Sequence, residues 1–147
     1  MKKRDHITAF YIEALLLIAV FIGVIMLLTG VFAQAKLESS RAKHLTDAVT
    51  LAQNGAEAFA AAKVPDDIFA LLNENGNGLQ IEQGETPCYR FRYNSDLEPD
   101  PSGCYWMTVP WLPESGSLVK SLIQVYFEGQ EEAVYTLLTG LCTEVAR

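Results

Sequence analysis

Apolar and polar positions divide this chain into three regimes. Between residues 7 and 35 almost every position is apolar. Glu13 is the only charged residue there, and the twenty-two residues 14–35 carry no charge at all. As a helix that run measures about 33 Å, against about 30 Å for the hydrocarbon core of a bilayer. Apolar residues also precede Glu13 (Ile7, Ala9, Phe10, Tyr11, Ile12), so the acid lies within the apolar stretch. A carboxylate at mid-bilayer costs about 2.5–3.5 kcal/mol on insertion scales, and less near the interface. Glu13 is therefore a functional candidate whose partner must be found. Gly23 and Gly30 interrupt the run, as membrane helices tolerate.

The second regime, residues 36–63, is amphipathic. Leu45, Ala48, Val49, Ala52, Ala56, Phe59 and Ala60 recur at three- and four-residue steps, which is one face of a helix. The first proline is Pro65, so one helix is expected from about 7 to 63, on the order of 85 Å long. Asn54-Gly55 is its expected point of kinking or fraying. Val64-Pro65-Asp66-Asp67 ends that helix and starts a short one through Leu72.

In the third regime the period changes to two. Residues 79–83, 88–94, 105–111, 118–127 and 133–141 read as extended segments, with Tyr89, Phe91 and Tyr93 on one face and Arg90 and Arg92 on the other. Turn-rich residues 73–78, the proline- and acid-rich stretch 96–103 and residues 128–132 separate them. The expected product is α+β: a long N-terminal helix, half transmembrane and half amphipathic, packed on a small antiparallel meander of about four strands. One face of such a sheet needs a cover, and the amphipathic half-helix supplies it. The chain divides into a basic leader (1–8), a transmembrane helix (9–35), its amphipathic continuation (36–63) and an α+β head (64–147).

Charge orients this plan. The net charge over 147 residues is −7, yet Lys2, Lys3 and Arg4 precede the apolar run, and 36–147 holds 8 basic against 16 acidic residues. The positive-inside rule places the N-terminus in the cytoplasm and the head outside it. An acidic exterior argues against a nucleic-acid surface. Cys88, Cys104 and Cys142 all fall in the head, where a disulfide is permitted. Cys88 with Cys104 is the preferred pair because they flank an expected hairpin; the bond would add about 3 kcal/mol. The alternative is three buried free thiols.

A short basic leader, an apolar helix with one glutamate near its start, an amphipathic continuation and a small antiparallel sheet together resemble type IV pilins and the pseudopilins of type II secretion and competence systems. The likeness is carried by Ala9-Phe10-Tyr11-Ile12-Glu13-Ala14-Leu15-Leu16-Leu17-Ile18-Ala19-Val20 and covers about the first sixty residues. It implies leader cleavage between Thr8 and Ala9, methylation of the new N-terminus, and pairing of Glu13 with the terminal amine of a neighbouring subunit. The family has glycine before the cut and usually an aromatic after it, where this chain has Thr8 and Ala9; that departure points to a minor subunit. Implied partners are other pilin or pseudopilin subunits, the membrane, a prepilin peptidase and an assembly platform. No cofactor and no enzymatic activity are implied.

Other readings compete. Ala33-Gln34-Ala35 has the A-x-A form of a signal-peptidase site, which would release a secreted domain beginning at Lys36. A permanently anchored extracytoplasmic binding or sensor domain is the other alternative. Asp96, Glu98 and Asp100, followed by Ser102, alternate as calcium ligands can, but the interleaved Pro99 and Pro101 favour a solvated acidic turn and no metal. Tyr89 to Tyr93 interleaves aromatics with arginines as single-strand binders do, yet a sheet core explains the alternation, and no nucleic acid is expected. Trp106 and Trp111 read as packing residues, with Trp111 beside Pro110 and Pro113 the candidate contact. His6 and His44 lie on opposite sides of the expected membrane and cannot share a site. The sequence holds no G-x-S-x-G, Walker A or C-x-x-C motif.

Overall fold

The structure is a computed structural model that describes residues 2–83, 86–114 and 117–142, with backbone only for 2–8, 82 and 83. It contains helices α1 (Lys2–Ala61) and α2 (Pro65–Leu72), then strands β1 (Gly78–Gln83), β2 (Thr86–Tyr93), β3 (Tyr105–Pro110), β4 (Leu112–Pro113), β5 (Leu118–Phe127) and β6 (Tyr135–Cys142). The chain forms two compact units, Met1–Ala42 and Lys43–Arg147.

In the second unit α1 packs on an antiparallel sheet. Its buried face is Ala48, Leu51, Ala52, Gly55 and Phe59, with Ala62 just beyond the helix end. The expected stripe is thus displaced: Leu45 is 48% exposed and Ala60 lies on the open side. Nor does Asn54-Gly55 break the helix. A Cβ at Gly55 would stand 2.6 Å from Met107 Sδ and 3.5 Å from Ile123 Cγ2, so the missing side chain is what brings helix and sheet together. The helix-propensity penalty of glycine, about 1 kcal/mol, is offset by that close packing.

The helix ends where Pro65 begins the next. Val64, the residue before proline, is extended (φ −132°, ψ 158°). Asp67 Oδ2 accepts hydrogen bonds from the backbone N–H groups of Lys63 (2.8 Å) and Val64 (3.1 Å). These bonds to the charged form hold the Asp67 carboxyl below its ordinary value of 3.8. Ile68 anchors α2 in the core, and Phe69 lies against Tyr89 and Phe91.

Six strands form the sheet, where about four were expected. Every extended segment read from the sequence appears, and β4 is the addition. It continues β3: Leu112 opposite Lys120 and Pro113 opposite Val119 keep the register set by Tyr105 opposite Phe127. Pro110 and Pro113 lack the N–H groups a continuous ladder needs, which splits the run. Trp111 at the break donates its N–H to the Pro87 carbonyl (2.9 Å). The helix-facing side of the sheet is aromatic and aliphatic: Tyr89, Phe91, Tyr93, Tyr105, Met107, Val109, Ile123 and Val125 are buried. Trp111 joins this core against Phe59 (ring centroids 5.3 Å) instead of offering an exposed contact.

Candidate functional site

Two parts of α1 carry functional interest, and they differ in what surrounds them. The helical stretch Ala9–Ala61 includes a segment long and apolar enough to cross a membrane, and none of that segment is buried among the described residues. Phe10, Leu17, Phe21, Leu27 and Phe32 are all largely exposed. Glu13 is exposed within this segment and has no hydrogen bond or ion pair among the described residues. Thr29 returns its hydroxyl to the Ile25 carbonyl (2.8 Å), so that polar group is satisfied within the helix. Ala9 lies in α1; the side chain of Thr8, on the other side of the expected cut, is outside the described residues.

A polar cluster missing from the sequence reading ties α1 to the sheet in the second unit. Tyr105 donates its hydroxyl proton to Asp47 Oδ2 (3.1 Å). His44 Nδ1 lies 2.5 Å from the Tyr105 hydroxyl oxygen. Since the phenol has one proton and Asp47 takes it, Nδ1 is the donor to the oxygen. The His44 ring also lies over Phe127 at 4.1 Å, and Tyr105 and Phe127 are 4.9 Å apart. Burial, followed by the Asp47 bond, raises the Tyr105 hydroxyl well above its ordinary range. The available signal was the three-residue step from His44 to Asp47, which puts both on one helix face. Tyr89 makes a similar tie: its hydroxyl donates to Asp66 Oδ1 (3.0 Å), and burial is the main reason its pKa is pushed up to about 12.

The expected Cys88–Cys104 disulfide is not formed; all three cysteines are free. Register explains why. Cys88 stands opposite Pro110, whereas Cys104 adjoins Tyr105, which stands opposite Tyr93. Five residues of strand separate the two ends, roughly 17 Å at the usual rise, and a disulfide needs Cα atoms within about 7 Å. Cys88 is buried, which raises its thiol pKa, with Arg90 acting in the opposite direction.

The acidic turn spends its polar groups on itself. Asn94 Oδ1 accepts the N–H groups of Asp96 and Glu98, both at 2.9 Å. Asp100 Oδ1 accepts the Ser102 N–H (2.8 Å) and hydroxyl (2.7 Å), which lowers the Asp100 pKa. Asp96, Glu98 and Asp100 do not converge, and no group of three metal-ligating side chains exists among the described residues.

The arginines that alternate with the core aromatics lie on the opposite face of the sheet. There Trp106 stacks on Tyr126 (5.7 Å, 12° between planes) and the Arg92 guanidinium sits 5.9 Å from the Trp106 ring. Trp106 is thus a packing residue held between strands, as its alternation suggests. No family model matches the chain, and no curated protein or solved structure matches it significantly.

Proposed function

We propose that this chain is a pilin-like structural subunit, a minor one given that its leader departs from the family pattern at Thr8 and Ala9, anchored by a single membrane pass with the head outside the cytoplasm. The observation that carries the reading is Glu13: a carboxylate that, among the described residues, has no partner and lies in a helical segment that none of them buries. In lipid such an acid is costly alone, and an opposite charge from a neighbouring copy or sibling subunit relieves that cost. The terminal amine left by cleavage between Thr8 and Ala9 is the group of the right sign. Apolar side chains around the same helix then supply the packing between subunits, while the head stays folded on its own helix segment. An assembly platform and a leader peptidase do the work of building; this chain performs no catalysis.

N-terminal sequencing of the protein from its native membrane tests the topology. A start at Ala9 agrees with the proposal, a start at Met1 replaces it with a permanently anchored domain, and a start at Lys36 with a secreted one. Glu13→Ala tests the assembly role. Membrane insertion is expected to persist while cross-linking between neighbouring copies in the native membrane falls severalfold; unchanged cross-linking removes the role assigned to the acid.

A further inference from the structure

The face of the sheet turned away from α1 is unlike the rest of the head. Its strands carry Arg90, Arg92 and Lys120, in a region of the chain whose acids outnumber its bases two to one. Two of these cations are engaged. Arg92 lies over Trp106, and Lys120 pairs with Glu114 at 2.8 Å. Arg90 is different: its Nε–H is buried and has no acceptor among the described residues.

Arg90 lines a trough of about 510 Å³ on this face. The floor follows one row across the strands, Arg90 opposite Thr108 and Thr108 opposite Gln124. The stacked pair Trp106 and Tyr126 belongs to the next row and walls one side. Gln130 and Glu131 line it from the turn between β5 and β6.

We infer that this trough binds a polypeptide carboxylate, with Arg90 as its anchor. A guanidinium fork with a sheltered Nε–H is matched by a planar oxyanion that accepts two bonds. Among the described residues Arg90 is the one cation of this face with a buried N–H that lacks an acceptor, and Glu131 faces the same space, so a monoanion fits where a doubly charged phosphate does not. The amides of Gln124 and Gln130 complement the N–H and C=O groups of a peptide bond, each supplying both donor and acceptor. The stacked rings flank this site and fix its wall, since Trp106 is already engaged by Tyr126 and by the Arg92 guanidinium. This inference stands apart from the role of Glu13 and needs no filament.

The test follows the Arg90 Nε–H itself. Full-length, nitrogen-15-labelled protein in detergent micelles is titrated with the end-blocked tripeptide Ala-Glu-Ala, and the Nε–H resonance is assigned by its loss in Arg90→Lys. The expected result is a saturable shift, with affinity at least about tenfold weaker for Ala-Gln-Ala, the equivalent of one charge-assisted hydrogen bond. Glu131→Gln, which leaves Arg90 in place, is expected to tighten binding about twofold to threefold. A resonance that already shifts with protein concentration assigns the acid to a second copy of the chain; one that only added peptide moves assigns it to a different polypeptide. Absence of a saturable shift, equal binding of the two peptides, or tighter binding of inorganic phosphate overturns the inference.

Discussion

The two parts of α1 are both rich in apolar residues, yet only one of them is striped. From Ala48 to Phe59 the buried positions fall on one side, because a sheet lies there and water lies on the other. From Ala9 to Phe32 there is no polar side, and none of it is buried among the described residues. A one-sided stripe is what an intramolecular partner selects; apolarity all round is what lipid or other subunits select. The comparison therefore separates side chains that hold this chain folded from side chains that do something else.

Matched substitutions sharpen it. Phe59→Ala deletes a ring wedged against Trp111 and is expected to lower unfolding stability of the head by about 3–5 kcal/mol, read from the urea midpoint of the full chain in detergent. Phe21→Ala, the same change in the uncovered part, is expected to leave that midpoint in place. An equal loss from both breaks the distinction. Gly55→Val drives a branched side chain into Met107 and is expected to cost about 1–3 kcal/mol, whereas Gly23→Val has nothing within 4 Å to meet.

Tyr105→Phe removes the hydroxyl shared by His44 and Asp47 while keeping the ring on Phe127. Its expected cost is about 1–2 kcal/mol, the smaller value if water reaches Asp47. The smallest effect is expected at Asp67→Asn, at the end of the packed part. The Asp67 pKa is lowered on folding, so its stabilising contribution is present above the unfolded value of 3.8 and fades as pH falls through the lower folded value. Thermal melts of the variant should accordingly show a shallower loss of stability below about pH 4 than the parent chain.

Much of this architecture was legible in the residues. Period two in 88–94 and 118–127 marked strands, and the alternation of Tyr89, Phe91 and Tyr93 with Arg90 and Arg92 assigned the faces correctly. The phase of the helix stripe was not legible, because helix and sheet meet tightly at Gly55, and a residue without a side chain adds nothing to a hydrophobic pattern. The split of one long strand into β3 and β4 turned on two prolines within four positions. The cysteines misled because flanking a hairpin in sequence does not fix which residues stand opposite; Cys88 and Cys104 sit at different heights on the same ladder. Polar ties such as Tyr105 with Asp47 join positions 58 apart, a distance over which local pattern carries no information. Glu13 was legible as an anomaly from charge alone.

Gly55 and Met107 amount to a lock whose two parts lie fifty-two positions apart in the chain. A larger residue at one demands a smaller one at the other. Pairing Gly55→Ala with Met107→Val should therefore cost less than the sum of the two separate changes, and a library varied at position 55 alone should return mostly glycine there.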